Sequence, residues 1–471
     1  MPITAPNTPG VKINEVLLVA PPIIGAGTST AAFVGTAPSQ TFQITISKSV
    51  AGSTTIPIDA LAFGLAASAV LNKVSGASAS PGSITLAATA VAAGTKSITA
   101  TGAVTLAAGD VYSATGLKNQ PKLLTSSDQF LQEYAAGVTQ STPLSRAVLG
   151  FFANGGNLCY VVDVGAGAAT SDVVTGIELL EALDDVRIIA APGHTEDPVY
   201  DALIDQAERL GDRFAILDPP SRADVSPGGN FDPSLLLKTT AASGKRPKDS
   251  KYAAWYYPRI TVGPDLTKPG DPANSDPDTE AVTNVGHIAG AYASVDENRG
   301  VFKAPANVTL RNVLGVEHLL TDADQNAVNT EGVNILRVFS GNVTIWGART
   351  LQLSATADTL FLYVSTRRLV NFVETSLQTG LRFAVFEPNN LVLQQQITRS
   401  VRDFLNRIWA DGALFGATAN DAYYVRFPPP LNTDADRAAG KLTVEIGLRV
   451  TFPAEFVIIR IGVILNSPIS S

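Results

Sequence analysis

The sequence predicts an α/β protein: a central, mostly parallel sheet with flanking helices, together with a small α+β C-terminal domain, an inserted small β domain and extended terminal arms. Three observations carry this prediction. Apolar β-branched runs alternate with amphipathic helical segments between residues 142 and 218, the composition shifts to Ser, Thr, Ala and Gly between residues 41 and 118, and both chain ends are strand-like.

The alternation is read residue by residue. Thr142 can cap a helix with Pro143 in its first turn, and Leu144, Ala147, Val148, Phe151 and Phe152 then share one face before Gly155 ends it. CYVVDV from Cys159 reads as a strand, Asp172 to Leu183 as a helix, VRIIAA from Val186 as a strand, Pro198 to Leu210 as a helix and RFAILD from Arg213 as a strand. Strands separated by helices of this length favour a parallel sheet with helices on its faces. Between Thr41 and Leu117 the only charges are Lys48, Asp59, Lys73, Lys96 and Asp110. Runs such as GSITLAAT and KSITATGAVTLAAGDVY alternate small polar with apolar residues between Gly and Pro, the pattern of short strands and turns. Beyond residue 355, RRLVNFVETSL and a second amphipathic helix precede a C-terminal strand.

At the ends, Pro2, Pro6, Pro9, Pro21 and Pro22 surround VKINEVLLV and keep it from growing into a helix. Extended, the first two dozen residues reach roughly 80 Å. PAEFVIIRIGVIL, from Pro453 to Leu465, is apolar and β-branched, with Arg460 its only charge after Glu455.

Composition narrows the function. Hydrophobic residues make up 45% of the 471, so the chain has ample material for cores, while only 16% are charged against about 25% in ordinary soluble domains. That deficit reads as surface meant for other subunits. The net charge of -8 and the pI near 5.1 argue against nucleic acid as the main partner, because release of counterions needs a basic face. Cys159, the single cysteine, excludes an internal disulfide framework and sits in an apolar run that predicts a buried thiol. MPITAPNTPG lacks the cationic start and apolar run of a secretory signal, and the apolar stretch Phe456 to Leu465 is too short to span a bilayer. The expected place of synthesis is the cytoplasm, with no direct membrane insertion.

No catalytic or cofactor-binding set emerges. A hydrolase needs a base beside a nucleophile and a carboxylate to orient the base, and the three histidines, His194, His287 and His318, lie in APGHTEDP, VGHIAG and VEHLL without a matching nucleophile turn. Asp322, Asp324 and Asn326 imitate the start of a calcium loop, but Ala327 and Val333 occupy the turn and bidentate-Glu positions, so a capped helix start is expected instead. GAGTST from Gly25 lacks the later glycine of a dinucleotide turn, and no Gly-Lys-Ser/Thr loop exists. The expectation is no cofactor and no metal.

One helix points to binding. In QITRSVRDFLNRIWA, Ile397, Val401, Phe404, Leu405, Ile408 and Trp409 cluster on one side at 100° per residue, and Arg399, Arg402 and Arg407 on the other, with Asp403 as the only acid. Arg349, Arg367 and Arg368 sit beside apolar residues, which predicts buried pairing to Glu374 or Glu387.

Between Gly286 and Thr350 runs GHIAGAYASVDENRGVFKAPAN and then GVNILRVFSGNVTIWGART; FVGTAP, AVLGFFANGGNLCYVV, RRLVNFVETSL, FEPNN and FPAEFVIIRI occur in order around it. Together these segments resemble the contractile tail sheath proteins of bacteriophage tails and phage-like contractile injection systems, over most of the chain except residues 41 to 118. The resemblance implies a subtilisin-like sheath core at 25–40 and 119–354, an N-terminal arm at 1–24, a C-terminal sheath domain at 355–471 ending in an exchanged strand, and an insertion at 41–118 on the outer surface. It implies a structural subunit, not an enzyme, that stacks with itself as sixfold rings in a helical sheath around an inner tube protein, with baseplate and terminal cap proteins as further partners. On this reading Val11, Ile13, Val16 and Leu17 carry the N-terminal subunit interface and Val457, Ile459, Ile461 and Val463 the C-terminal one, while Arg399, Arg402 and Arg407 face the tube. The final location would be a virion tail or an assembled injection particle that drives its tube through a target envelope. A hydrolase on the subtilisin-like core and a monomeric binding module are the alternatives.

Overall fold

The computed structural model describes residues 21–39, 41–61, 64–116, 118–135, 141–237, 244–263, 281–353 and 359–455. These form two compact units, one of Gly27–Phe372 with the residues from Phe452 onward, the other of the residues up to Ala26 with Val373–Thr451.

The larger unit opens with β1 (Ala31–Gly35), an AAFVG run buried at every position. Six strands follow, β2 (Thr41–Thr45), β3 (Val50–Pro57), β4 (Val70–Ser75), β5 (Ser83–Thr85), β6 (Ser97–Leu106) and β7 (Val111–Thr115). They make two antiparallel sheets in the orders β2-β7-β4-β5 and β3-β6. In β6, Ile98 and Ala100 point inward while Ser97 and Thr99 face out, the period-2 pattern of a half-buried strand. Asp110 pins the turns of this charge-poor region: its buried carboxylate accepts from the Ala77 N–H at 2.7 Å, the Ala107 N–H at 2.9 Å and the Ser80 hydroxyl.

The α/β part continues with β8 (Lys122–Leu124), α1 (Ser127–Tyr134), α2 (Pro143–Ala153), β9 (Cys159–Asp163), α3 (Thr170–Glu178), β10 (Ile188–Ala190), α4 (Asp197–Leu210), β11 (Phe214–Leu217) and β12 (Ala253–Tyr257). Thr142 caps α2 in a reciprocal box with Ser145, Pro143 occupies the first turn, and Gly155 just beyond the helix takes φ +100°, as its sequence predicts. The rest of this unit comprises β13 (Ile260–Thr261), β14 (Ala281–Val282), α5 (Val285–Arg299), β15 (Val308–Thr309), β16 (Gly315–Val316), α6 (Asp322–Asn329), β17 (Val333–Phe339) and β18 (Asn342–Ile345).

Among the described residues, nine strands join one sheet in the order β15-β18-β17-β12-β11-β10-β1-β9-β8. From β17 to β9 every neighbouring pair is parallel; β18, β15 and β8 are antiparallel additions at the edges. Helices cover both faces, so successive residues enter different cores. Phe33, Val161, Ile188, Ile216 and Tyr256 join α2 and α5 on one face, and Val34, Val162, Ile189, Leu217 and Trp255 join α3 and α4 on the other.

The smaller unit holds the last part of α7 (Val364–Gly380), within which the two units divide, followed by α8 (Leu391–Ala410), α9 (Ala419–Ala422), β19 (Tyr423–Arg426), α10 (Asp434–Ala438) and β20 (Glu445–Leu448). The division falls within α7, whose first turns bury Arg367, Arg368 and Leu369 in the larger unit. Phe452–Glu455 also group with the larger unit.

The glycine-rich stretch from Gly286 is α5, buried almost throughout its first three turns. A Cβ on Gly286 would stand 2.0 Å from the carbonyl oxygen of Ala147, and one on Gly290 2.4 Å from that of Phe151, so the helix lies against the backbone of α2. His287 fills the remaining gap, packed on Gly150. The obstruction at Gly286 is backbone and cannot rotate away. Gly286→Ala is therefore expected to lower stability by about 2 kcal/mol, overpacking outweighing alanine's better helix propensity; the midpoint of urea unfolding measures it.

Candidate functional site

In open α/β sheets, ligands bind outside the carboxyl ends of the parallel strands. Here that place holds Asp218, just past β11. Its carboxylate accepts from the Gly193 N–H at 3.0 Å and from the Thr283 hydroxyl, with an Arg259 guanidinium nitrogen at 3.8 Å. Its backbone carbonyl accepts from the Tyr200 hydroxyl and from Trp255 Nε1 at 3.0 Å. Burial raises the carboxyl to about 6, against the lowering influence of Arg259, Thr283 and the Gly193 N–H. Every partner is structural: the loops after three strands are tied to one buried acid.

The histidines are likewise accounted for by packing. His194 Nδ1 lies 3.5 Å from Glu196. His287 is fully enclosed, and desolvation, then the nearby Arg146 charge, lowers it to about 4, which keeps it neutral. His318 lies 4.7 Å from the ring of Phe231, and burial lowers its pKa. Burial also pushes the Cys159 thiol far up, which leaves it unreactive. In α6, Thr321 and Asp324 form a reciprocal capping box and Asp322 pairs with Arg337 at 2.7 Å. Among the described residues no three His, Cys, Asp or Glu side chains group so as to hold a metal ion. Nor is any described helix long and apolar enough to cross a membrane.

The arginine-bearing helix is α8. Asn390 caps it, and Leu393, Ile397, Val401, Phe404, Leu405 and Ile408 are buried, leaving Arg399, Arg402 and Arg407 exposed on the other side. Trp409 is half-buried and donates Nε1–H to the Gly416 carbonyl at 3.0 Å. Arg399 stands 4.0 Å from Asp403, a loose exposed pair, whereas Arg407 donates to the carbonyl of Ile23 at 2.6 Å. That bond is one of three fastening residues 21–26. Ser400 donates to the Pro21 carbonyl at 3.0 Å and Ser376 accepts from the Ala26 N–H at 2.9 Å, while the Ile23 side chain is buried over Gly380. Neither serine nor Gly380 carried a signal in the sequence. Val11, Ile13, Val16 and Leu17, and Val457, Ile459, Ile461 and Val463, lie outside the described residues.

Beside α8, β19 and β20 pair antiparallel, Tyr423 opposite Leu448 and Arg426 opposite Glu445. Among the described residues this sheet has two strands. The turn between α7 and α8 exposes Val385, Phe386, Leu391 and Val392, with Phe386 in the left-handed region at φ 67°.

Arg349, Arg367 and Arg368 are buried as expected, but the carboxylates for two of them differ from Glu374 and Glu387. Arg368 makes a two-pronged pair with Asp296 of α5 at 2.6 and 2.9 Å, both side chains almost wholly buried, and donates to the Thr28 carbonyl at 2.9 Å. Arg349 pairs with Glu455. Arg367 bonds Asn371 at 2.7 Å and lies over the rings of Tyr252 and Phe361. Sequence proximity suggested the nearer glutamates; the sheet topology delivers more distant acids.

Residues 166–351 match the family model described as the phage tail sheath protein central domain, and residues 356–464 match that of the phage tail sheath C-terminal domain. Among solved structures, the PVC sheath complex of an extracellular contractile injection system in its contracted state aligns over 98% of both chains at TM-score 0.63 and 23% identity. The contracted helical sheath of the anti-feeding prophage (AFP) aligns over 97% of this chain and 99% of that one at TM-score 0.64 and 21% identity. The 6-fold symmetrised AFP baseplate aligns over 98% and 100% at TM-score 0.63 and 21% identity. At these identities the likeness is one of fold. No curated protein matches the sequence.

The acid at the strand ends makes a signed prediction. Asp218 is raised from 3.8 to about 6 in the fold, so the stability it contributes is fully present below pH 4 and lost as pH rises through 6. The gap corresponds to about 3 kcal/mol at about 1.4 kcal/mol per pKa unit. Measured by urea unfolding at several pH values, Asp218→Asn should gain on the parent by up to that amount between pH 4 and pH 7. A constant difference would contradict the assignment.

Proposed function

The chain belongs to the phage tail sheath family and is a structural subunit of a contractile sheath; on that premise we propose that its copies polymerise by exchanging their terminal segments as β-strands. The carrying observation is the β19–β20 sheet. This two-stranded ribbon is supported on one face by α8, where Tyr423 and Val425 are buried and the Tyr423 hydroxyl bonds Asn406 at 2.6 Å, while the backbone groups along a strand edge offer a template on which a further strand gains affinity through main-chain hydrogen bonds. The chain ends have the right composition for that role: VKINEVLLV and FVIIRIGVIL are rich in β-branched residues, with Lys12 and Glu15 the charges of the first and Arg460 that of the second. Val11, Ile13, Val16 and Leu17 on one segment, and Val457, Ile459, Ile461 and Val463 on the other, would supply the side chains that lock register.

In this reading the copies stack as sixfold rings around an inner tube, assemble on a baseplate, are closed by a terminal cap protein and contract by rigid-body rotation to drive the tube through an envelope. The work is conformational rather than enzymatic. The insertion at residues 41–118 would decorate the outer surface. Arg399 and Arg402 would face the tube through exposed charges, contacts individually weak enough to release on contraction; Arg407, bonded to Ile23, would join that surface to the root of the N-terminal segment.

Removing residues 1–20, or ending the chain before Phe456, should leave a folded body that no longer forms sheaths in electron micrographs; full-length sheaths from either truncation would refute strand exchange. Reversing the charge of Arg399 and Arg402 should reduce co-assembly with the tube by more than tenfold while self-polymerisation continues. Equal loss of both would refute the tube assignment.

A further inference from the structure

The larger unit contains a polar construction that neither the fold nor strand exchange itself requires, centred on Asn334 of β17. Asn334 is completely buried, and its side chain acts as a surrogate backbone: Oδ1 accepts from the Arg349 N–H at 2.7 Å, and Nδ2 donates to the Arg349 carbonyl at 2.8 Å and the Trp255 carbonyl at 3.2 Å. Arg349 is thereby fixed to β12 and β17, two neighbouring interior strands of the nine-stranded sheet. The glycines on either side permit the closeness. A Cβ on Gly347 would lie 2.7 Å from Asn334 Oδ1, and one on Gly332, whose φ is +77°, would lie 2.2 Å from the Thr350 carbonyl oxygen.

The guanidinium held by this corner grips Glu455, the last described residue before the C-terminal segment. Arg349 Nε lies 2.9 Å from Glu455 Oε1 and Nη2 lies 2.7 Å from Oε2, a fork-on-fork pair. Asn329 Nδ2 donates to Oε1 at 3.1 Å and the Tyr363 hydroxyl to Oε2 at 2.8 Å. Arg349 also donates to the Asn329 carbonyl at 3.1 Å, which braces one donor against the other. Burial alone would raise the Glu455 carboxyl; the donations from Arg349, Asn329 and Tyr363 prevail and hold it below the usual glutamate range.

We propose that Arg349, Asn329 and Tyr363 are an anchor for the C-terminal segment: they fix the point where it leaves the body and pass the load it carries from a neighbouring subunit through Asn334 into the central sheet. The inference rests on the strand-exchange reading. It explains why the WGART and PAEF sequences, more than a hundred residues apart, carry an arginine and a glutamate that serve each other. Tension along the segment meets a two-pronged ionic contact, which resists shear and rotation better than a single hydrogen bond, and behind it a side chain bonded through both the oxygen and the nitrogen of its amide.

The test uses full-length protein carrying Glu455→Gln, with Tyr363→Phe as a milder variant and a chain ending at Glu455 as reference. Glu455→Gln should raise amide exchange at residues 452–456 and the concentration needed for polymerisation at least tenfold each, with Tyr363→Phe shifting both less in the same direction and protection in β12 and β17 unchanged. Wild-type polymerisation by Glu455→Gln, when the truncated chain does not polymerise, would overturn the anchor alone. Lost protection in β12 or β17 would make Glu455 part of the fold and also overturn it. Normal polymerisation by the truncated chain would remove the strand-exchange reading and the anchor with it.

Discussion

A parallel sheet covered by helices on both faces leaves few places from which to polymerise, and that constraint organises this protein. The sheet buries Phe33, Val34, Val161 and Val162 on alternating sides, and α5 approaches α2 so closely that glycine is required at Gly286 and Gly290. Its edges are finished by short antiparallel strands, two residues at β15 and three at β8, a blunting that discourages edge-to-edge growth. A rigid body of this kind presents an exterior rather than an open edge. The smaller unit, with its two-stranded β19–β20 sheet and exposed apolar turn at Phe386, offers the opposite.

The two chain ends are rooted differently. Residues 21–26 are held within the smaller unit by Ser376, Ser400 and Arg407, three bonds to backbone groups that would tolerate variation in the segment itself. Glu455 is held within the larger unit by a carboxylate clamp of Arg349, Asn329 and Tyr363, which depends on that one side chain. Backbone fastening fixes a path; a charged clamp fixes a point. Strand exchange needs both, since a tether with a wandering root cannot set the register of the strand it delivers.

Much of the fold was legible in the sequence because its signals are local. Thr142 and Pro143, Thr321 with Asp324, and the apolar stripe of α8 act within one or two turns, and period and capping chemistry report them directly. The alternation of Ser97 to Ala100 likewise declared a half-buried strand. Partners distant in sequence were not legible. Arg368 lies nearer to Glu374 along the chain, yet the topology brings α5 against α7 and supplies Asp296; Arg349 finds Glu455 for the same reason. Asn334 was unreadable because an asparagine in an apolar strand gives no hint that it will replace a backbone partner. The fastening of residues 21–26 was hidden similarly, its partners being two serines and an arginine with no spacing rule to connect them.

The central claim is that strands from neighbouring copies complete the sheet that β19 and β20 begin. Electron cryomicroscopy of the assembled polymer, at a resolution that traces the main chain, tests it most directly. The account predicts residues 11–19 and 456–465 as strands paired beside β19 or β20 of another copy. Terminal segments folded back onto their own subunit, with β19–β20 still a two-stranded ribbon, would contradict it.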